Sequence, residues 1–149
     1  MKKILFETHH LYYLPNFIPI IDNLRSKVGY DIYASMPQYM HEKERKLFHS
    51  ACSSMKLQVI DAELEAERVE EIKSTNFDVI VVGNVGQLKK IISESTLAVM
   101  VYHGIGLKQS YYNDFDQRID IRSVESEARY NELEEQGHSN LALTGYTKL

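Results

Sequence analysis

The sequence lacks several features that mark specialised classes of protein. Its 149 residues include one cysteine, Cys52, which excludes an intramolecular disulfide and a multi-cysteine metal site and makes a reducing compartment the simplest setting. The 17 lysines and arginines do not outnumber the 21 aspartates and glutamates, and they are scattered, so no nucleic-acid partner is expected. The GxSxG, HExxH and dinucleotide-type GxGxxG patterns are also missing, which argues against the common hydrolase, metalloprotease and dehydrogenase classes.

Long apolar runs are absent as well. The first six residues combine two lysines with a short apolar run, but Glu7, His9 and His10 end that run far short of a signal-peptide core or a membrane span. We therefore expect a cytoplasmic protein. Peripheral contact with the inner face of the cell membrane stays open, although the sequence has no basic amphipathic helix that would anchor it there.

What is present is the pattern of an α/β protein. Residues 1–149 are 44% hydrophobic and 26% charged, as expected for a single domain with one core. Short apolar runs alternate with helical patterns, which predicts a Rossmann-like, three-layer open parallel sheet with crossover helices. Strands are predicted at 4–6, 30–34, 57–60, 77–82, 97–102, 119–124 and 140–144, and helices within 16–28, 37–56, 62–75, 84–92 and 126–137.

Some details of these helices are specific predictions. Asn16 is expected to cap the first helix, with Pro19 in its first turn, where a missing N–H costs little. Leu47 is expected on the apolar side of the second helix, and Ser126 is expected to cap the last one. The glutamate-rich stretch 62–75 is expected to lie outside the core with its charges in solvent.

Ligands of open parallel sheets bind beyond the carboxyl ends of the strands, so the residues after each strand are the first candidates for a site. In this sequence the candidates are Glu7 to His10, Ser35, Asn84 to Gly86, His103 to Lys108, and Glu125 with Ser126.

The turn that starts at His103 carries the clearest chemistry. Gly104 and Gly106 would let main-chain N–H groups approach an anion, Lys108 would add a positive charge, and His103 could accept or donate a proton. This combination indicates phosphate chemistry. The alternative is a turn at the end of a strand whose histidine is hydrogen-bonded for structural reasons.

His9 and His10 follow the first predicted strand. Either could supply an acid, a base or a substrate ligand, while Tyr12 and Tyr13 favour a packing role for the same loop. A zinc site that combines His9, His10 and His103 has no specific support in their spacing, so no metal is expected. Cys52 is expected to be a small core residue.

The segment from His103 to Lys108 also resembles a family motif. Together with Asp120, the helix start at Glu125-Ser126 and the final residues 145–149, it resembles the amino-terminal half of the CDP-glycerol glycerophosphotransferases, which build teichoic-acid-type polymers. Their motif reads approximately His-Gly-Thr-Pro-Leu-Lys, so Ile105 and Gly106 stand here where that family usually has Thr and Pro. The resemblance implies a GT-B-like enzyme in which two Rossmann-like domains face each other across a cleft.

The resemblance further implies roles for this chain. It would be the acceptor-side half of a transferase that moves a phospho-alcohol from a CDP-activated donor to an acceptor hydroxyl, with His103 as general base and Lys108 beside the phosphate. The donor nucleotide would belong to a carboxyl-terminal donor domain absent from this chain, so no cofactor is expected here and the isolated half is expected to be inactive. The acceptor would be a polyol or glycan, lipid-linked in members that work at the membrane surface. Gly104, Gly106, His9, His10 and Ser126 are the expected substrate- or phosphate-binding residues.

Two other interpretations stay open. One is half of a GT-B glycosyltransferase or of a nucleotide-sugar epimerase, which shares the architecture but not the phosphoryl transfer. The other is a self-contained Rossmann-like binding module without catalysis.

Overall fold

A computed structural model describes residues 1–101 and 118–145, and these form one parallel sheet with helices on both faces. In the described part of the chain the strand order is β3-β2-β1-β4-β5-β6-β7, and every pair of neighbours is parallel. The strands are β1 (Lys2–Glu7), β2 (Tyr30–Ser35), β3 (Gln58–Val59), β4 (Val79–Val82), β5 (Leu97–Val101), β6 (Ile121–Val124) and β7 (Leu141–Leu143). The Rossmann-like α/β prediction is therefore confirmed.

The helices in the same residues are α1 (Leu14–Arg25), α2 (Glu42–Ser54), α3 (Glu65–Thr75), α4 (Leu88–Ile91) and α5 (Glu127–Glu135), with a short 3-10 helix at Leu11–Tyr13. None of these helices combines the length and apolarity that crossing a membrane requires.

The three layers follow from the alternation of side chains along β1. Phe6 packs on the side of α1 with Phe17, whereas Leu5 packs on the opposite side with Ile72 of α3. Successive side chains of a strand point to opposite faces, so each apolar strand residue joins one of two cores. Cys52 lies in the α2 part of the core, where burial raises the pKa of its thiol to about 12, and this confirms its predicted structural role.

The beginning of α1 differs from the prediction. The helix starts at Leu14, directly after the 3-10 turn, and Pro15 occupies its first turn, where the fixed backbone of proline suits a helix start. Asn16 therefore lies inside the helix, where it is buried, and it is not the N-cap residue. Pro19 also lies inside the helix rather than in its first turn.

The apolar face of α2 is also rotated relative to the prediction. Phe48 and Cys52 are fully buried, while Leu47 is 58% exposed. Phe48 and Cys52 are four residues apart and so share one face, which Leu47 does not. Ser126 does cap α5 as predicted, because its Oγ accepts a hydrogen bond of 3.2 Å from the backbone N–H of Arg129.

Candidate functional site

A polar crevice lies where the sheet order reverses. β1 lies between β2 and β4. The chain segments that follow β1 and β4 pass to opposite faces of the sheet and leave a gap beyond the carboxyl ends of these two strands. Ligands of this fold class bind in such a gap. Its described polar lining consists of Glu7, His9, Tyr39, Glu65, Arg68, Asn84, Gln87 and Lys90.

Arg68 of α3 is the centre of this lining, and it is only 2% exposed. Its Nη1 donates to both carboxylate oxygens of Glu7, at 2.9 and 3.0 Å, and to Ser35 Oγ at 2.7 Å. Its Nε and Nη2 donate to Glu65, at 3.0 to 3.1 Å and 2.6 Å respectively. One guanidinium therefore joins the ends of β1 and β2 to α3 by charge-assisted hydrogen bonds.

This burial overturns part of the sequence prediction. The charges of 62–75 were expected in solvent, and that is wrong for Arg68, because its partner Glu7 is at the end of a buried strand. A signal for it exists in the sequence: Arg68 is four residues before Ile72, so both lie on the inward face of α3. Glu65 and Tyr39 likewise line the crevice without having been singled out.

Two carboxyl groups compete for this one guanidinium, and their protonation differs. Burial raises the pKa of Glu7 to about 7, even though the charge and hydrogen bonds of Arg68 act in the opposite direction. Burial also acts to raise the pKa of Glu65, but hydrogen bonds from Arg68 and from the Gln38 N–H outweigh it and lower that pKa.

The pKa of Arg68 is raised as well, but by the opposite balance of causes. Burial acts to lower the pKa of Arg68, but Glu65 and Glu7 outweigh it, so the guanidinium is held charged. Glu7 takes up the proton more readily than Glu65 because it is the more deeply buried of the two and because the charge of Glu65 also disfavours its ionised form. The cluster therefore pairs one cation with one carboxylate of low pKa and one of raised pKa.

His9 is the imidazole that faces this crevice. Its Nε2 is 3.1 Å from Tyr39 Oη, and its ring meets the Tyr39 ring at a centroid distance of 5.7 Å. Burial, followed by the charges of His10 and Arg68, lowers the pKa of His9, which favours its neutral form.

Gly86, in the turn after β4, makes room for this imidazole. Its φ is +46°, and a Cβ built there would lie 2.7 Å from Nδ1 and Cε1 of the His9 ring. A side chain at this position would therefore have to displace His9.

His10 packs away from the crevice lining. Its ring is stacked on Tyr12, with centroids 5.1 Å apart and planes 8° apart, and its Nδ1 is 3.9 Å from Glu44 Oε1. The packing role that the tyrosines suggested thus describes His10, whereas His9 lines the crevice.

The other predicted site residues are distributed as follows. Ser126 follows β6, two strands from β4, and serves as the cap of α5. Asp120 accepts a hydrogen bond of 2.7 Å from Ala98 N, which joins the start of β6 to β5. His103, Gly104, Gly106 and Lys108 lie outside the described residues, as do residues 146–149.

In residues 1–101 and 118–145 no group of three or more histidine, cysteine, aspartate or glutamate side chains is placed to hold a metal ion.

Comparison with known proteins gives a likeness to a solved structure. No family model matches the chain, and no curated protein matches it. The chain is similar to a crystal structure from Listeria monocytogenes that is described as a UDP-N-acetylglucosamine 2-epimerase, with a TM-score of 0.63 and 12% identity. The match covers 99% of this chain and 46% of that chain, so this chain spans about half the length of the epimerase.

The described residues have a Rossmann-like fold similar to that of the matched part of this GT-B-like neighbour. At 12% identity the likeness shows the fold alone. It agrees with the GT-B-like, Rossmann-like fold predicted for this domain, and it carries no information on a facing second domain or on glycerophosphate chemistry.

Proposed function

We propose that this chain is one Rossmann-like half of a two-domain, GT-B-like enzyme that acts on a nucleotide-activated sugar, either as a glycosyltransferase or as an epimerase. The observation that supports this most directly is the likeness of 99% of the chain to about half of a protein described as a UDP-N-acetylglucosamine 2-epimerase. The crevice at the switch point supports it further, because it brings titratable groups together where this fold binds ligands.

In this proposal His9 moves the proton. Glycosyl transfer removes a proton from an acceptor hydroxyl while the bond from the sugar to the nucleotide diphosphate breaks. Epimerisation beside the anomeric carbon removes a proton from a sugar carbon, with the electron pair expelling the nucleotide diphosphate, and a proton later returns to the other face. A neutral imidazole can do either, and such catalysis typically contributes ~10²–10⁴-fold in rate. The lowered pKa of His9 and its contact with Tyr39 Oη suit this role.

Glu7 has a different task in the proposal. It is 4% exposed and both of its carboxylate oxygens are hydrogen-bonded to Arg68, so it is enclosed by the protein. We assign it to holding Arg68 and, through Arg68, the ends of β1 and β2 at the floor of the crevice.

A second candidate is transfer of glycerol phosphate from CDP-glycerol. It is favoured by the segment from His103 to Lys108, in which His103 would be the general base and Lys108, with Gly104 and Gly106, would contact the phosphate. The likeness to the epimerase favours the nucleotide-sugar function over this one.

Both candidates imply the same organisation. A carboxyl-terminal donor domain would hold the nucleotide, this domain would face the acceptor or sugar, and a lipid-linked acceptor would place the work at the inner face of the cell membrane. The contrasting possibility is a self-contained binding module that catalyses nothing.

Incubation of the protein encoded by the complete open reading frame with UDP-N-acetylglucosamine and with CDP-glycerol separates these functions. Release of UDP, or formation of an epimerised sugar, is the expected result. Release of CMP would favour the second candidate, and absence of both products would overturn the proposal in favour of the binding module.

Two substitutions then identify the base. His9→Gln should lose turnover while donor affinity is kept if His9 moves the proton, whereas His103→Gln should do so in the second candidate. His49→Gln is the control, because His49 lies on α2 near Asp61, away from the crevice lining. Normal turnover in His9→Gln would overturn its assignment.

A further inference from the structure

A continuous row of aromatic rings leads from the crevice lining to the exposed surface beside it. Tyr39 contacts His9 at 5.7 Å, His9 contacts His10 at 5.8 Å, and His10 stacks on Tyr12 at 5.1 Å, all measured between ring centroids. We call these four residues the ring row. Tyr12 remains 55% exposed and Tyr39 49% exposed. Neighbouring rings already restrict the rotamers of both tyrosines, so a ligand that packs on them causes little further loss of side-chain entropy.

The charges beside the ring row do not suit a phosphate. Each of the three nitrogens of Arg68 already donates to Glu7, Ser35 or Glu65. Among the described lining residues the other cation is Lys90, exposed on α4. The carboxylate of Glu65 offsets one of these two charges, and Glu7, whose pKa is about 7, offsets part of the other. Glu44 adds a further carboxylate beside His10. A pyrophosphate needs a surplus of positive charge or several free N–H donors, and among the charged groups of the described lining only the Lys90 ammonium could serve.

Neutral hydrogen-bonding groups are present instead. Tyr39 Oη and His9 Nε2 lie 3.1 Å apart and can both contact a hydroxyl group. Asn84 donates from Nδ2 to Tyr13 Oη at 2.6 Å, while its Oδ1 has no hydrogen-bond partner within the described part of the chain. That oxygen is buried without a partner, which costs free energy, so a ligand hydroxyl that entered beside it would gain a favourable acceptor.

We propose that the ring row and Asn84 bind the pyranose ring of the sugar, or of a glycan acceptor, and that the phosphates are held elsewhere. The identity of this ligand rests on the proposed function, but the argument for a carbohydrate rests on the ring row itself. The C–H face of a pyranose packs on tyrosine rings, and its hydroxyl groups reach Tyr39, His9 and Asn84. The subsite thus offers mainly apolar ring surface together with a few uncharged hydrogen-bonding groups, a composition that is common in ligand pockets.

Amide chemical shifts of the isotopically labelled 149-residue chain test this assignment. The probes are N-acetylglucosamine and, in a separate titration, inorganic pyrophosphate. We expect the sugar to cause saturable shifts at residues 9, 12, 39 and 84, and pyrophosphate to cause none there. Saturable shifts with pyrophosphate at these residues, or no shifts with the sugar, would overturn the proposal.

Substitutions locate the binding surface. Tyr12→Ala and Tyr39→Ala should each weaken sugar binding about fivefold, the loss expected from removing one packed aromatic ring. Tyr30→Ala is the matched control, because Tyr30 is similarly exposed, at 39%, but begins β2 and so lies at the amino ends of the strands, opposite the crevice. Equal weakening by all three variants would show that the ring row is not the subsite.

This result is separable from the proposed function. Sugar binding at the ring row without release of UDP or CMP by the full-length protein would leave the subsite in place and remove the enzymatic proposal. Turnover of the nucleotide sugar without sugar binding at the ring row would overturn the subsite alone.

Discussion

Glu7 and Arg68 form a buried ion pair whose stability depends on how completely it is hydrogen-bonded. Desolvation of two charges can cost more than their attraction returns, unless the remaining donors and acceptors are satisfied. Here Ser35 and Glu65 take the donors of Arg68 that Glu7 leaves. Removal of one partner from such a pair typically costs about 3–5 kcal/mol, so these side chains support the crevice structurally as well as electrostatically.

The raised pKa of Glu7 makes a prediction about stability and pH. Between the ordinary value of 4.5 and the folded value of about 7, the folded protein holds a proton at Glu7 that the unfolded chain has already lost. Unfolding therefore releases a proton, and the contribution of Glu7 to stability falls as pH rises through this window. The difference in unfolding free energy between the wild type and Glu7→Gln, measured with urea below, within and above the window, should fall in the same way.

His9 is expected to change stability with pH in the opposite direction, and taking the difference between the wild type and Glu7→Gln cancels that contribution. The lowered pKa of His9 gives stability that increases as pH rises towards 6.5, and it is present in both proteins. Glu63→Gln, which alters an exposed carboxylate, should keep the pH dependence of the wild type. A difference that grew with pH would mean that Arg68 outweighs burial and keeps Glu7 ionised.

At the scale of elements, the turn between β4 and α4 positions His9. Gly86 has a positive φ there, and Gly83 lies against the Tyr13 ring, where a Cβ would come within 2.7 Å. The turn therefore approaches the loop after β1 so closely that two of its residues have no room for a side chain. The position of His9 therefore depends on the packing of two loops, one after β1 and one after β4, which are both central strands of the sheet.

Gly86→Ala tests this packing. The substitution should lose about 1 kcal/mol of stability or more from its backbone conformation, and it should also shift the imidazole resonances of His9 in NMR spectra. Gly137→Ala is the matched control, because Gly137 also has a positive φ, +97°, but no atom within 4 Å of a built Cβ. Gly137→Ala should lose stability without moving the His9 signals, and unchanged His9 signals in Gly86→Ala would contradict the positioning role.

At the scale of the whole molecule, the proposed division between two domains predicts what this chain does alone. The three nitrogens of Arg68 in the described crevice are already hydrogen-bonded within the protein, and the nucleotide is assigned to a second domain. Calorimetric titration of the 149-residue chain with UDP and with CDP should therefore show no binding heat, while the full-length protein should bind its donor nucleotide. Tight nucleotide binding by the chain alone would contradict this division.

Much of the fold could be predicted because the signals are local. Apolar runs and helical periodicity located all seven described strands and the five described helices to within a few residues. The errors lie in helix phase and helix starts. Asn16 resembles an N-cap in sequence, but the 3-10 turn before Leu14 starts the helix earlier. In α2, Phe48 rather than Leu47 is buried, because tertiary packing selects which face of the helix meets the core.

The candidate site was predicted in part. The rule that ligands bind beyond the carboxyl ends of strands selected Glu7, His9, Ser35 and Asn84 to Gly86, all of which lie at or beside the crevice. It did not find Arg68, Glu65 or Tyr39, because none of them directly follows a strand: Arg68 and Glu65 lie in α3, and Tyr39 lies in the turn before α2. His103 and its neighbours stay a prediction.

The sequence by itself determined the α/β class, the alternation of strands and helices, and the presence of polar side chains at the ends of the central strands. These depend on the spacing of apolar residues, which acts over a few positions. Only the tertiary structure decided that Arg68 pairs with Glu7, 61 residues away, and that His9 rather than His10 enters the crevice. Both outcomes depend on the strand order β2-β1-β4 and on the space at Gly86, which exist only once the sheet is assembled.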